Sequence, residues 1–354
     1  MKKLLFIFLL QLSFLYAQTN MLIPFSINKK IGFINEELRI IVEPIYDKID
    51  RYKDNTFILY NSYKNVYVLQ SQNEQKNIQD IILLGKGYYS MYFDPDTYIY
   101  DDTGKRIRVL SKLQHDHNAS REFLIVFNGA RENIIKQDDT YVFSDKNILE
   151  IFDFEPITQT ALCRYKGRGM CLVTEKGVIN QEKYSFSKTS FNEGLVFGKN
   201  NKTGETGFYN MNCKLVIKAT VKEDSTMDDW DAYPSVNCGA VALVKEGENN
   251  IILSNRQRLF SENWNIVDNK GNVFANGIKA NYISPFSDNV AVLMLKNGNK
   301  WIYELIDKHG HCLTETEFDE IHTSINGYCM ARKDDVDYLI SSGNGSVYKC
   351  TDFK

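Results

Sequence analysis

Short stretches of alternating apolar and polar residues, separated by polar turn residues, run through most of this chain. Near the N-terminus they predict strands at residues 30–35, 38–42, 46–49 and 57–60. Glu43-Pro44 is expected to end the second strand, because proline cannot donate a hydrogen bond to a strand ladder. The predicted order is strand, turn, strand, loop, strand.

The same order returns in the C-terminal part of the chain. Residues 267–271 reappear as residues 306–310, 39 residues later, and Ile283 reappears as Ile321, 38 residues later. Similar units at a fixed period are typical of stacked or ring-shaped β arrays. A unit of three strands cannot bury both of its faces, so neighbouring units must pack together to form a core.

A tight hairpin is predicted between two strands near the C-terminus. Val292–Leu295 and Lys300–Tyr303 flank a polar stretch that contains Asn297-Gly298. Asn-Gly tolerates the positive φ angles of a short hairpin loop.

The middle of the chain, residues 61–190, has the least regular pattern. Strands are predicted there at 65–69, 88–93, 98–100, 123–127, 141–143 and 170–173. Residues 73–84 differ, since Gln75, Lys76 and Gln79 are compatible with the start of a short helix. Degenerate repeats are the preferred interpretation of this region, and a separate inserted domain is the alternative.

The repeated elements resemble the WG-repeat family, whose units run approximately as Lys-Trp-Gly-Phe-Ile-Asp, a glycine turn, an aliphatic strand, Pro, Tyr-Asp and Phe-x-Glu-Gly-Leu-Ala. The matching segments are 30–35 and 206–210 for the first element, 43–47 for the middle, and 191–196 and 285–292 for the last. The Trp-Gly dipeptide is intact nowhere, because Ile31 replaces its Trp and neither Trp264 nor Trp301 precedes Gly.

This resemblance, together with the period near 40, predicts an all-β fold. We expect a tandem array of about seven or eight units of short antiparallel strands. The array would be a closed, propeller-like ring or an open, twisted β solenoid, and the sequence does not choose between them. The family is a repeat architecture without a common activity, so the resemblance indicates a fold rather than a function.

Residues 1–17 have the pattern of a cleaved export signal. Two lysines follow Met1, Leu4–Leu15 is mostly apolar, and Ala17 is a small residue at the cleavage point. This run is shorter than the roughly 20 residues that span a bilayer, which makes a retained anchor the weaker alternative. The mature chain, residues 18–354, is expected in the periplasm, on the cell surface or in the medium, without membrane insertion.

Composition and charge limit the classes of partner that the chain is expected to bind. Without the two signal lysines the chain has 40 basic and 45 acidic residues, a net charge of about −5. Nucleic acid is therefore not an expected partner, because phosphate binding needs a basic stripe. The chain contains no phosphate-binding glycine loop and no hydrolase motif, so neither a cofactor nor a catalytic set is predicted.

The number and spacing of the cysteines do not predict a disulfide pattern. An exported protein can form disulfides, but the number is odd and the spacings are irregular, so pairing stays open. Cys312 and Cys329 are expected on strands as small buried thiols. The seven cysteines are Cys163, Cys171, Cys213, Cys238, Cys312, Cys329 and Cys350.

Several motifs have metal-like spacing, yet no metal site is predicted. His115 and His117 lie in a polar segment without a third ligand, and His309 and His311 flank a turn glycine. A calcium site is less favoured than an ordinary turn for a further group of carboxylates. These are Asp94, Asp96, Asp101 and Asp102.

Four aspartates recur at matching places in the units, namely Asp47, Asp268, Asp307 and Asp319. A residue that returns in every unit is expected to satisfy backbone donors at a turn. Catalytic acids would instead be one special pair in contrasting environments.

The densest acidic and aromatic cluster spans residues 228–233. Asp229, Trp230 and Tyr233 are the predicted ligand-binding residues, because an aromatic platform beside carboxylates can hold a sugar or a cation. A solvated acidic loop is the alternative interpretation.

The predicted function is a non-catalytic, exported binding or scaffold protein of a bacterial cell envelope, whose partner is a protein or a surface glycan. The alternative is a glycan-acting hydrolase or lyase on a propeller-like scaffold. That enzyme would need two carboxylates in one cleft, with Asp229 or Asp231 opposite another buried acid.

Overall fold

The structure is a computed structural model, and it is nearly all β. It describes residues 21–53, 56–61, 65–70, 73–78, 80–85, 88–93, 96–101, 106–111, 119–120, 123–128, 131–136, 142–143, 145–155, 158–180, 184–187, 191–221, 235–247, 249–252 and 262–354. Apart from one 3-10 turn at Cys350–Asp352, every regular element within these ranges is a strand. None of the described segments is a helix of the length and hydrophobicity that a membrane span requires.

The strands follow one another at short intervals along the described chain. The first fourteen are β1 (Ile23–Ile27), β2 (Lys30–Ile34), β3 (Ile40–Tyr46), β4 (Lys48–Lys53), β5 (Thr56–Asn61), β6 (Asn65–Gln70), β7 (Asn73–Ile78), β8 (Asp80–Gly85), β9 (Tyr88–Phe93), β10 (Asp96–Asp101), β11 (Arg106–Ser111), β12 (Ala119–Ser120), β13 (Phe123–Asn128) and β14 (Arg131–Lys136). The next nine are β15 (Ile148–Glu155), β16 (Thr160–Tyr165), β17 (Gly169–Thr174), β18 (Gly177–Val178), β19 (Tyr184–Phe186), β20 (Leu195–Asn200), β21 (Thr206–Asn210), β22 (Leu215–Lys218) and β23 (Thr220–Val221). The remainder are β24 (Ala240–Glu246), β25 (Asn249–Ile252), β26 (Glu262–Asp268), β27 (Val273–Ala280), β28 (Tyr282–Ile283), β29 (Val290–Asn297), β30 (Lys300–Asp307), β31 (Glu320–Ile321), β32 (Tyr328–Lys333), β33 (Val336–Ser341) and β34 (Val347–Lys349).

These strands form sheets in chain order, namely β1–β3, β4–β7, β8–β11, β12–β14, β15–β22, β23–β27, β28–β30 and β31–β34. Pairing is antiparallel except between β23 and β25. The large fifth sheet is joined across β17 and β19 by the single pair Met170–Tyr184. If it is divided there, the described residues form nine units, slightly more than the seven or eight expected from the period.

The structure confirms the predicted hairpin and corrects two predicted elements. Strands β29 and β30 pair up to Asn297 and Lys300, and Gly298 has a φ of 60° in the loop. The stretch predicted to start a helix is instead strand β7 paired to β6, followed by β8, because sheet pairing overrides weak helical propensity. Val142 and Phe143 lie outside any strand, although a strand was predicted there.

Strand β3 also differs from the prediction. Leu38 has a φ of 60° and belongs to the preceding turn, and β3 continues through Pro44 to Tyr46. Proline is tolerated because β3 is the edge strand of its sheet, where its missing N–H removes no ladder bond. The register between β2 and β3 shifts near this proline, as in a β-bulge.

The close approach of the chain at this bulge explains why the first motif element contains a glycine. A Cβ atom on Gly32 would lie 2.8 Å from the Pro44 nitrogen, and one on Gly207 would collide with the Ile217 carbonyl oxygen. Only glycine allows the next strand to approach so closely.

Apolar side chains fill the space between consecutive sheets where the side chains are described. The rings of Phe33 and Phe57, with centroids 4.8 Å apart, join the first and second sheets. Trp264 and Leu293 lie in one cluster that joins the sixth and seventh sheets. Each such fully buried side chain contributes about 1.5–3 kcal/mol.

The first and last sheets pack against each other, so the two ends of the described chain meet. Ile23 and Phe25 share a buried cluster with Met330, Leu339 and Cys350. Together with contacts between successive sheets, this seam gives the propeller-like ring rather than the open solenoid.

Hydrogen bonds also cross the seam, beside the apolar contacts. Asn326 donates from Nδ2 to the Leu22 carbonyl at 2.8 Å. The N–H of Asn28 donates to the Asp337 carboxylate at 2.9 Å, and the N–H of Ile40 donates to the Lys354 carbonyl at 2.9 Å. Backbone groups of both ends are therefore hydrogen-bonded by the opposite end.

Tight turns before β20 and β24 are hydrogen-bonded to each other, and so are the turns before β29 and β32, so each pair links two neighbouring units. The turn residues Glu193 and Asp288 have φ values of 48° and 49°. Glu193 accepts a hydrogen bond from the N–H of Gly239 at 2.8 Å, and Asp288 accepts one from Gly327 at 2.9 Å. The acidic position of the motif thus connects one unit to the next.

We expect Asp288→Ala to lower the free energy of unfolding by about 1–3 kcal/mol, because Gly327 and the Ser324 hydroxyl lose a charged acceptor. Urea unfolding followed by circular dichroism measures this. Glu315→Ala, at an exposed position, is the control and should change stability by less than about 0.5 kcal/mol. Equal free energies of unfolding for the two variants would show that the hydrogen bonds of Asp288 do not stabilise the fold.

Candidate functional site

The acidic and aromatic cluster predicted from the sequence lies outside the described residues. Asp229, Trp230 and Tyr233 all fall within 222–234, and Asp231 falls there as well. Their role as ligand-binding residues stays a prediction.

Only some of the metal-ligand candidates lie among the described residues. His115 and His117 lie outside the described residues, and so do Asp94 and Asp102. Asp96 and Asp101 are the two ends of β10. The part of the chain that the structure describes contains no group of three His, Cys, Asp or Glu side chains arranged to hold a metal ion.

The pair His309 and His311 lies on the turn after β30. His311 Nδ1 is 3.0 Å from Asp307 Oδ2, and the His309 ring packs against Phe274 with centroids 5.4 Å apart. These contacts give both imidazoles a structural role in the turn.

Two of the recurring aspartates cap turns, as predicted. Asp268 Oδ1 accepts from the N–H groups of Lys270 and Asn272, at 2.9 and 2.7 Å. Asp307 Oδ1 accepts from His309 and His311, at 2.8 and 2.9 Å. Partial desolvation opposes ionisation, but these hydrogen bonds outweigh it and hold the pKa of Asp307 below its usual value.

The other two recurring aspartates form ion pairs with lysines. Lys30 bonds to Asp47, and Lys300 Nζ lies 2.6 Å from Asp319 Oδ1. The hydrogen bond from Lys300, with one from the Asp334 N–H, holds the pKa of Asp319 below its usual value. The pKa values of Asp268, Asp307 and Asp319 are all lowered, which is the opposite of the raised pKa of a general acid.

The substitutions Asp307→Asn and Asp307→Ala test the capping role. Asparagine makes the same turn at Asn35 and Asn210, so Asp307→Asn should keep most of the stability near pH 7. Asp307→Ala should cost about 1–2 kcal/mol, because two N–H groups lose their acceptor.

The acid response of Asp307→Asn provides a second readout. A carboxyl whose folded pKa is lowered stabilises the fold above its unfolded pKa, and this contribution is lost as the pH falls through the folded value. Urea unfolding at about pH 7 and about pH 3 should therefore show a smaller loss for Asp307→Asn than for the wild-type chain. An equal loss would contradict the capping role of the carboxylate.

All seven cysteines are free thiols in the structure. Burial raises the pKa of Cys329 and of Cys350 to about 12, which makes both poor nucleophiles. Cys312 is exposed and lies outside any strand, so its predicted burial was wrong. Its thiol donates to the Thr314 carbonyl at 3.2 Å.

A cleft of about 620 Å³ opens at the seam between the first two sheets and the last. We call it the seam cleft. Its lining residues are Ser26, Lys29, Ile31, Asp47, Lys48, Ile49, Glu320, His322, Thr323, Ile325, Met330, Ala331, Arg332 and Asp337.

One ion pair organises the wall that the last sheet contributes to the seam cleft. Arg332 Nε and Nη2 donate to Asp337 Oδ1 at 3.1 and 2.9 Å. The second oxygen of Asp337 accepts from the N–H of Asn28, in the β1–β2 turn. This turn brings Lys29 to the rim of the seam cleft.

The opposite wall follows the end of β3. Asp47 bonds to Lys30, and the Lys48 ammonium lies 4.9 Å from the centroid of the Tyr60 ring. On the last sheet, His322 Nε2 lies 3.4 Å from Glu320 Oε1. Charged side chains of both signs therefore face the seam cleft.

Sequence reasoning did not find the seam cleft. Asn28 and Asp337, which hold its wall together, are 309 residues apart in the chain. No local sequence pattern predicts a contact between residues so far apart. The positive φ of Lys29 is local, but the sequence does not predict it either.

Comparisons with known proteins support the fold. Residues 31–60 match the family model of a WG containing repeat, which confirms the predicted resemblance for that segment. No curated protein sequence matches the chain.

Solved structures show similarity at low sequence identity. The chain resembles a crystal structure of the eukaryotic initiation factor, with 9% identity, a TM-score of 0.55, and coverage of 93% of this chain and 96% of that one. It also resembles BamB from Moraxella catarrhalis (8% identity, TM-score 0.39, coverage 85% and 96%) and Hsv2p from Kluyveromyces lactis (13%, 0.40, 73% and 92%). The likeness to the initiation factor, a β-propeller protein, supports the propeller-like fold.

Proposed function

We propose that this protein is a non-catalytic binding scaffold, exported to a bacterial cell envelope, that contacts a protein partner through the seam cleft. A ring of small β units offers a rigid frame, and loops and clefts on such a frame are common binding surfaces. Export is proposed from the pattern of residues 1–17.

The lining of the seam cleft is the observation that carries this proposal. It combines charged side chains with the aliphatic side chains of Ile31, Ile49 and Ile325. Protein interfaces use this combination of apolar contact and oriented charge.

A protein is favoured over a glycan because of what the described lining lacks. Among the described residues that line the seam cleft there is no Trp, Tyr or Phe. Sugars are usually held by aromatic platforms, so this cleft has little to offer a sugar ring. The cluster of Asp229, Trp230 and Tyr233 would be the place to look for a glycan instead.

The arrangement of carboxylates argues against a hydrolase in this cleft. Asp337 has both oxygens occupied, by Arg332 and by the Asn28 N–H, and Asp47 is bonded to Lys30. A glycosidase needs one carboxyl held protonated near a second one. The carboxylates of Asp337 and Asp47 are instead already engaged by cationic side chains and a backbone donor.

Obstruction of the seam cleft provides the test. Thr323 is exposed and lines the cleft, so Thr323→Trp should fill part of it at little cost to the core. The matched control is Thr203→Trp, at an exposed turn between β20 and β21. Immobilised mature chains, residues 18–354, are incubated with envelope extract, and the captured proteins are quantified by mass spectrometry.

We expect the wild-type chain and Thr203→Trp to capture the same partner saturably, and Thr323→Trp to capture about tenfold less. Thermal melting confirms that both variants are folded. Equal capture by all three chains would rule out the seam cleft as the binding site. Capture of glycans without any protein would show that the partner is a glycan and would contradict the proposed protein partner.

A further inference from the structure

We infer that the seam cleft accepts an extended, uncharged segment of the protein partner, which pairs as an added strand with the edge of β1 that faces away from β2. This inference rests on the proposed binding function and specifies the form of the ligand. It follows from a comparison of the first and last sheets, from the position of the seam cleft and from the balance of its charges.

The first sheet begins one strand later than the last sheet. Among the described residues, the last sheet has the order β31–β32–β33–β34, whereas the first has the order β1–β2–β3. The hairpins β1–β2 and β32–β33 are equivalent, since each has a two-residue loop. Asn28 and Lys29 have φ values of 52° and 64°, and Asp334 and Asp335 have values of 49° and 59°. No described strand of the first sheet therefore corresponds to β31.

One hydrogen bond shows where such a strand would lie. In the last unit, the N–H of Asp334 in the hairpin loop donates to Asp319 Oδ2, just before β31, at 2.7 Å. The equivalent N–H in the first unit, that of Asn28, donates instead to Asp337 of the last unit at 2.9 Å. A neighbouring unit thus supplies the carboxylate that comes with the first strand in the last unit.

The edge of β1 offers main-chain acceptors to an added strand. In the last unit, the carbonyls of Met330 and Arg332 accept N–H groups from segment 319–322. Counted from the hairpin loop, their equivalents in β1 are Pro24 and Ser26, whose carbonyls point away from β2 because strand bonds alternate. No described residue donates to either carbonyl. An added strand can therefore donate its own N–H groups there, as in β-strand addition.

The other main-chain groups of this edge are compatible with that role. Pro24 has no N–H, which suits a strand edge that is not paired within its own sheet. The Ser26 N–H is directed at the Cys350 thiol. The carbonyls are thus the groups that remain open, so the ligand is expected to act mainly as a donor.

The seam cleft lies at the place of the additional strand. One wall comes from the first two strands of the last sheet, through residues such as Glu320 and Met330. The other comes from Lys48 and Ile49, which begin β4, the first strand of the second sheet. Ser26 of β1 also lines the cleft, so a segment in this space of about 620 Å³ reaches the edge of β1.

The lining favours an uncharged segment. Its charged side chains, His322 aside, are three basic and three acidic ones, namely Lys29, Lys48, Arg332, Asp47, Glu320 and Asp337. A ligand with a net charge therefore meets repulsion as well as attraction. Ile31, Ile49 and Ile325 offer apolar contact instead, which suits the aliphatic side chains on one face of a strand.

Fluorescence anisotropy with labelled hexapeptides tests the inference on the mature chain, residues 18–354. The probe is an alternating Val-Thr peptide with uncharged ends. Its matched control carries a methyl group on every backbone nitrogen, so it cannot donate hydrogen bonds to the edge of β1. Two further peptides replace Thr by Lys or by Glu.

We expect the Val-Thr peptide to bind and the N-methylated peptide to bind at least about tenfold more weakly, because main-chain bonds supply the affinity of an added strand. The Kd of the Val-Thr peptide should change less than about twofold between about 50 and about 500 mM salt, since no net charge is recognised.

Matched substitutions locate the site. Ile49→Ala shortens an apolar side chain of the lining and should raise the Kd of the Val-Thr peptide about three- to tenfold. Ile278→Ala shortens a half-buried isoleucine on β27, outside the lining, and should leave the Kd unchanged. Thr323→Trp should abolish measurable binding. The N-methylated peptide is tested on the wild-type chain, so the main result does not depend on the folding of any variant.

The inference is overturned if the N-methylated peptide binds as tightly as the Val-Thr peptide, because main-chain donors would then play no part. Tighter, salt-dependent binding of the Lys or the Glu peptide would overturn it in favour of a ligand selected by charge. A dimer of the mature chain that the Val-Thr peptide dissociates would make a second copy, and not a separate partner, the source of the strand.

The proposed function and the added strand can fail separately. If Thr323→Trp loses the captured partner while no peptide binds, the proposed function stands and the added strand is wrong. If the Val-Thr peptide binds at the cleft but no partner is captured from envelope extract, the proposed function fails and the strand-accepting edge stands.

Discussion

The contact between the first and last sheets is the interaction on which the rest of the ring depends. A small sheet in such an array buries its apolar faces against its neighbours, and the two end sheets have each other as neighbours. Phe25 of β1 is fully buried beside Leu339 of β33, and the C-terminal Phe353 ring packs edge-on against Phe25 at 5.5 Å. If this seam opened, both apolar faces would be exposed to water, and the whole array would lose stability.

The seam is also where the candidate site lies, and the two facts are connected. Elsewhere the chain joins consecutive units through similar turns, such as the one at Asp288. At the seam, sheets from opposite ends meet, and the hairpin that carries Lys29 must be held by a side chain from the far end, Asp337. The Asp337 carboxylate that holds this hairpin also bonds to Arg332 and so shapes one wall of the cleft, which means that the structure and the proposed binding share the same residues.

Sequence patterns predicted what depends on local spacing. The hairpin around Gly298, the turn-capping role of Asp268 and Asp307, and the all-β class all follow from residue alternation and repetition. Two kinds of feature escaped. Gln75 and Lys76, which are compatible with a helix, lie in strand β7 because they pair with β6. Strand β3 continues through Pro44 because it lies at the edge of its sheet. In both cases tertiary context outweighs local preference. The seam cleft could not be predicted, since its walls come from residues some three hundred positions apart.

Hydrogen–deuterium exchange with mass spectrometry tests ring closure most directly. It compares β1–β2 and β32–β33, the strands on either side of the seam, with the hairpin of β29 and β30, which lies between two flanking sheets. A closed ring predicts that all three exchange slowly and within about tenfold of one another, since none can open without loss of its neighbour. Rapid exchange confined to β1–β2 and β32–β33 would show that the seam is open in solution and would contradict the closed ring.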